Sequence, residues 1–254
     1  MKLKFSIRRE VKIGAVILIL AGIIAFAERR QRTINIQDVI VKIKNTHENH
    51  FLEEEDVLHL TQLKRENLRG ADIRNLDLME MERRIKTEPF IKDAAVYSDL
   101  KGNLLISVEL RRPIARLVRN DGPDGYIAED GTVMPMSDKF NARVVLISGL
   151  YVRQILKQEN MYNSEVGKQL MELLNTIRED EFWNAQIAQL DIDAKAKITF
   201  YPQVGDEKIE FGIPDEQEEK LKKLKIYYKE IMPRVGWNRY ARVNLEYKGQ
   251  IVTD

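Results

Sequence analysis

Hydrophobic positions change rhythm several times along the chain. Ile13–Ala27 (IGAVILILAGIIAFA) is an uninterrupted apolar run without a charge. After a polar collar at 28–33, Ile34, Ile36, Val39, Val41 and Ile43 partly alternate and predict a strand, with a loop at 45–52. Glu53–Leu63 predicts a helix: acids crowd its start, where the macrodipole favours them, and Val57, Leu60 and Leu63 form a stripe. Gly70 breaks the next stretch. Asp77 then has the form of an N-cap with Glu80 as its capping-box partner, and Leu78, Met81 and Ile85 recur at helical spacing up to Pro89. Ala94 and Val96, a turn at Asp99–Asn103, and Leu104, Ile106, Val108 and Leu110 predict a hairpin with one buried face. The order β-α-α-β-β describes a compact α+β module of about 80 residues.

Arg112-Pro113 punctuates the chain, and a second region follows. Predicted strands are Ala115–Arg119, a hairpin over Tyr126–Met134 turning at Glu129-Asp130-Gly131, Val144–Ile147, Ile187–Ile192, Lys197–Tyr201, Lys208–Phe211 and a last strand Arg242–Tyr247. Two helices complete it. Ser164 opens one, with Val166, Leu170, Leu173, Leu174 and Ile177 on one face. Asp215 is expected to cap the other, with Glu218 at the box position and Glu218–Lys222 and Glu219–Lys223 as i,i+4 pairs. Its inward residues are Leu221, Leu224, Tyr228 and Ile231, and Pro233 is expected to stop it. The fold class is α+β: one N-terminal transmembrane helix, a β-α-α-β-β domain, then a mixed β domain with two packed helices. The expected boundaries are a cytoplasmic tail at 1–10, a transmembrane helix at 11–27, a linker and first domain at 28–112, and a β domain at 113–254.

The flanks of the apolar run set the compartment. A helix over Val11–Ala27 is about 25 Å long, slightly short of a ~30 Å hydrocarbon core. Lys12 and Arg29 reach the headgroups and close the gap. Lys2, Lys4, Arg8, Arg9 and Lys12 precede the run and outweigh the basic group after it, which favours a cytoplasmic N-terminus. A retained anchor is the leading reading. A cleaved signal peptide is the alternative, because Ala25-Phe26-Ala27 has the A-x-A form. A buried helix of a soluble domain is the third reading. The first two place everything after about residue 28 outside the cytoplasm, where free ATP and NAD(P)H are not expected substrates.

Composition narrows the chemistry. The 41 Lys+Arg and 40 Asp+Glu give a net charge of +1, without the basic excess that nucleic-acid binding requires. Cysteine is absent, which excludes disulfide scaffolds, Cys-ligated zinc, iron–sulfur clusters and thiol catalysis. His47, His50 and His59, near Glu53–Glu55, have no metal-ligand spacing, and loop histidines are ordinarily solvated. GxSxG, GxGxxG and GxxxxGK[ST] motifs do not occur. The acids Glu53–Asp56 fit a helix start, Glu129-Asp130-Gly131 fits a turn, and Tyr227-Tyr228 fits a helix core better than a sugar platform with Trp237. No enzyme, cofactor, metal, nucleic-acid or small-molecule-substrate assignment follows.

A protein-binding surface remains. The terminal strand Arg242–Tyr247 has few residues after it and can leave an edge open for strand addition; the competing reading is an edge masked by Lys248–Asp254. The run Pro89-Phe-Ile-Lys-Asp-Ala-Ala-Val96, then Asn103-Leu-Leu-Ile-Ser-Val-Glu-Leu-Arg-Arg-Pro-Ile-Ala115, resembles the POTRA domain of the FtsQ/DivIB bacterial division proteins. Tyr126-Ile-Ala-Glu-Asp-Gly-Thr-Val133 resembles that family's hairpin, and Val243-Asn-Leu-Glu-Tyr247 its closing strand.

The resemblance implies a non-enzymatic divisome scaffold in the cell inner membrane at the division site. Its extracytoplasmic domains would link early and late division proteins and capture a partner of the FtsB/FtsL type, among other divisome components. The positions matching the family's partner-binding strand are Glu246, Tyr247, Lys248 and Gly249, with Ile251 and Val252 continuing it. Two other functions compete: a POTRA protein of outer-membrane insertion or secretion, for which tandem modules and barrel strands are not seen, and a secreted cell-wall enzyme, for which no convergent titratable groups are seen.

Overall fold

The computed structural model describes residues 14, 16–23, 35–46, 49–62, 64–237 and 239–254. Residues 16–23 are helical and exposed. Among the described residues no helix is long and apolar enough to cross a membrane. The tail at 1–10, most of the remaining 11–27 span including Ala25–Ala27, and Ile34, His47 and Leu63 lie outside the described residues. The chain divides into two compact units, Met1–Lys42 with Glu54–Ile85 and Ala94–Ser107, and Ile43–Glu53 with Lys86–Asp93 and Val108–Asp254.

Most of a three-stranded sheet belongs to the first unit. Its strands are β1 (Val39–Lys44), β2 (Ile91–Ser98) and β3 (Leu104–Leu110), in the order β1-β3-β2. The predicted alternation holds on β3, where Leu104, Ile106, Val108 and Leu110 are all buried. The hairpin turn is tied by the Asp99 carboxylate, which accepts from the backbone N–H groups of Lys101 and Asn103 at 2.8 Å each. Helix α1 (Glu54–Leu60) buries Val57 and Leu58, and α2 (Leu78–Lys86) buries Met81 and Ile85. Asp77 caps α2, its carboxylate accepting from the Glu80 N–H at 2.9 Å. The reciprocal half of the predicted box is diverted, because the Glu80 carboxylate grips Arg83 at 2.7 and 2.8 Å and Arg84 at 2.8 Å. That grip lowers the Glu80 pKa to about 2.

The second unit is a mixed sheet backed by helices. Its strands are β4 (Pro113–Leu117), β5 (Gly125–Ala128), β6 (Val133–Pro135), β7 (Val145–Ser148), β8 (Ile187–Ile192), β9 (Ile198–Pro202), β10 (Lys208–Gly212), β11 (Arg242–Asn244) and β12 (Val252–Thr253). Their order is β12-β11-β10-β9-β8-β7-β4-β5-β6. The pairs β4–β7, β7–β8 and β10–β11 are parallel, and parallel neighbours need long crossovers. Helices supply two of these: α3 (Glu165–Glu179) and α4 (Glu181–Gln186) between β7 and β8, and α5 (Gln217–Ile226) between β10 and β11. Leu170, Leu173, Leu174 and Ile177 of α3 and Leu221 and Leu224 of α5 share one buried cluster with Ile147, Leu190, Phe200, Phe211 and Val243.

Several expectations need correction here. The strand predicted at Val144–Ile147 is Val145–Ser148, and within it only Ile147 is buried. Asp215 does not cap α5. Its carboxylate pairs with the Lys220 ammonium, and the residue before the helix, Glu216, sits in the left-handed region at φ +42 without a side-chain cap. Pro233 does not stop the helix. A π-turn over Tyr227–Ile231 follows α5, and a short α-turn (Met232–Val235) resumes with Pro233 in its first positions. Proline is tolerated there because its missing N–H falls where no intrahelical bond is required. Gly236, at φ +95, ends the run.

Candidate partner-docking edge

The terminal segment begins as predicted and then departs. Val243 and Leu245 are buried, but the strand closes at Asn244 rather than at Tyr247. It also has no open edge. On one side it pairs parallel with β10 (Ile209↔Val243), and on the other antiparallel with β12 (Val243↔Thr253, Asn244↔Val252). The open rim expected along Arg242–Tyr247 is therefore covered by the chain's own tail, which is the masked alternative.

Local chemistry explains the early stop. The Asn244 side chain accepts from the Glu246 N–H at 2.8 Å, an Asx-type turn that competes with the ladder. The Lys223 ammonium donates to the carbonyls of Leu245 and Tyr247, 2.7 Å each, and takes both away from strand pairing. Gly249 sits at φ +66, where glycine avoids the Cβ penalty, and its N–H donates to the Glu219 carboxylate at 3.1 Å. The chain then returns as β12.

The rim moves outward by one strand. In an antiparallel pair, residues alternate between bonding the neighbour and facing away. Arg242 and Asp254 exchange backbone bonds, the Arg242 N–H to the Asp254 carbonyl and the Asp254 N–H to the Arg242 carbonyl, 3.2 Å each. Alternation then points the N–H and C=O groups of Ile251 and Thr253 away from β11. Among the described residues this side of the sheet ends at β12. The opposite end, β6, is different: the Val133 N–H donates to the Glu159 carbonyl at 3.1 Å, and Thr132 bridges Asn160.

The six expected partner residues separate by role. Tyr247 is 56% exposed and Val252 37%, so both offer apolar surface beside the rim. Ile251 is partly buried against the main core. Lys248 is exposed, 3.4 Å from Glu216. Gly249 shapes the turn. Glu246 is engaged within the unit, accepting from the Lys197 ammonium at 2.8 and 3.1 Å, and this pairing raises the Lys197 pKa. Sequence reasoning missed Thr253 and Lys223. The β-branched run Ile251-Val-Thr253 after a glycine turn was the available signal for a returning strand. Lys223 carried none, because a lysine on a helix reads as solvated.

The other candidate groups serve the fold. Glu129 pairs with Arg178 at 3.0 Å and Asp130 pairs with Arg111. Tyr228 is buried and Trp237 exposed. Among the described residues no three His, Asp or Glu side chains converge as metal ligands.

Comparison with known proteins agrees with this architecture. A family model described as FtsQ/DivIB, C-terminal related, matches residues 112–254, more than half of the chain. A POTRA-like domain model matches residues 35–109. The cell division protein FtsQ of Syntrophotalea carbinolica (strain DSM 2380 / NBRC 103641 / GraBd1) is 27% identical over 177 residues, which cover 69% of this chain and 62% of that protein. The match thus spans less than two thirds of the relative's length. With the β-domain model covering the whole nine-stranded sheet and a POTRA-like module preceding it, the chain belongs to the FtsQ/DivIB family.

Proposed function

We propose that this chain is a non-enzymatic scaffold of the bacterial divisome that captures a partner of the FtsB/FtsL type by strand addition at β12. In this reading residues 1–10 are a cytoplasmic tail and 11–27 a single inner-membrane span. Residues 28–112 form the linker and POTRA domain, and 113–254 the β domain, both extracytoplasmic at the division site. The carrying observation is the sheet end at β12, where Ile251 and Thr253 turn backbone groups outward beside exposed Tyr247. Backbone pairing supplies affinity there, and Tyr247 supplies an aromatic anchor. Tyr247, Lys248, Gly249, Ile251 and Val252 act at the rim, and Glu246 holds the segment to Lys197.

The experiment is site-specific crosslinking from position 247 in growing cells. It should trap an FtsB- or FtsL-type protein. Tyr247→Ala should weaken pull-down of that pair by removing the anchor, and Gly249→Pro by forbidding φ +66 and deleting the N–H that Glu219 holds. Unchanged pull-down by both variants would overturn the reading. N-terminal sequencing of the membrane-associated protein checks the span: an intact start supports the anchor, whereas a start at Glu28 replaces it with a cleaved signal.

A further inference from the structure

The face of α5 turned to the C-terminal segment carries three contacts at successive helical turns. Glu216, just before the helix, pairs with Lys248 at 3.4 Å. Glu219 accepts from the Gly249 N–H at 3.1 Å. Lys223 donates to the carbonyls of Leu245 and Tyr247. Residues separated by three or four positions share a helix face, so this is one clasp. Its contributions are unequal. The Glu216–Lys248 pair is exposed and weak. Lys223 is only 8% exposed, and its nearest carboxylate, Glu219, is 3.9 Å away. A desolvated ammonium in that position is held chiefly by the two carbonyls, and the buried Leu245 carbonyl depends on it in turn, since a buried unpaired carbonyl is costly, whereas the Tyr247 carbonyl also accepts from the Gln250 N–H at 3.3 Å.

We propose that Lys223 is the positioning residue of the docking rim: it fixes the turn that presents Tyr247 and sets where β12 re-enters the sheet. This rests on the strand-addition reading and deepens it. The ammonium converts the end of β11 from ladder into turn. Without it the Leu245 carbonyl loses its donor, the Tyr247 carbonyl keeps only the Gln250 N–H, the turn is held less firmly, and β12 frays. A rim that frays charges an incoming strand the ordering entropy of both strands.

The test uses the full chain in detergent micelles. Its probe is the purified FtsB/FtsL-type pair of the same organism, and its variants are Lys223→Met and Lys223→Arg. Lys223→Met keeps most of the stem but cannot donate. It should raise amide exchange at residues 242–254 by roughly tenfold or more while leaving exchange in α3 and β8 unchanged. It should also weaken capture of the pair by roughly tenfold. Lys223→Arg, which can donate to two carbonyls, should recover both readouts in large part. Unaltered exchange at 242–254 in Lys223→Met overturns the positioning role. Faster exchange with undiminished capture leaves the clasp standing and overturns strand addition at β12. Global loss of protection in Lys223→Met that Lys223→Arg does not repair overturns the local role as well.

Discussion

Tyr227 and Tyr228 are adjacent and both buried, yet their hydroxyls meet different fates. The Tyr228 O–H donates to the Glu207 carboxylate at 3.1 Å, whereas among the described residues the Tyr227 hydroxyl has no hydrogen-bond partner. Tyr228→Phe should therefore destabilise by about 1–3 kcal/mol, because it strips a donor from a nearly fully buried glutamate. Tyr227→Phe should be neutral, or stabilising by up to about 1 kcal/mol, because it removes a hydroxyl that gains nothing from burial. Urea unfolding of the two variants checks the contrast. Burial, and next the Glu207 charge, push the Tyr227 pKa up to about 12. A folded pKa above the unfolded value of about 10 gives a contribution that is complete below pH 10 and lost as pH rises towards 12. Melting temperature should fall across that alkaline window, and Tyr227→Phe should fall less steeply. None of this was legible beforehand. Periodicity assigned Tyr228 to the core, but a partner for a buried hydroxyl is a matter of three-dimensional placement.

Among the elements, local signals succeeded where no outside group competed for them. Ser164 opens α3 as its sequence position predicts, its hydroxyl accepting from the Gly167 N–H at 3.1 Å. Asp215 offered the same signature and failed, because Lys220 reaches back to its carboxylate and also donates to the Ile213 carbonyl at 2.7 Å. The Pro233 stop failed for a related reason. The π-turn shifts the bonding pattern, with the Met232 N–H donating to the Tyr227 carbonyl, so a new first turn begins where the proline stands. Ser164→Ala should cost about 1 kcal/mol in thermal or urea unfolding, the usual loss for a cap. Asp215→Ala, which removes no cap, should act instead through the partner it takes from buried Lys220. Hairpins were the most legible elements, since period-two burial on β3 and the Asp99 turn are written in contiguous residues. The terminal strand was the least, because its length depends on a lysine 22 residues away in sequence.

At the scale of the whole sheet, the question is which of two ends accepts a strand. The β6 end is bridged through Thr132 and Asn160, while among the described residues nothing pairs beyond β12. Of the expected site residues Val252 lies on β12 and Ile251 just before it, whereas the edge expected along Arg242–Tyr247 is one strand further in. Hydropathy could not distinguish a terminal strand from a penultimate one when the last is only Val252–Thr253. The geometry supplies a test that separates docking from folding. Proline removes one N–H and is accepted in a strand only where that N–H faces outward. At position 253 the lost donor points away from β11; at position 252 it belongs to the pair with Asn244. Thr253→Pro should therefore leave the melting temperature nearly unchanged and abolish crosslinking of the partner from position 247. Val252→Pro should instead loosen β12 itself and raise amide exchange at Asn244. Equal capture by Thr253→Pro and the unaltered chain would exclude backbone pairing at this rim, leaving only side chains such as Tyr247 to hold a partner there.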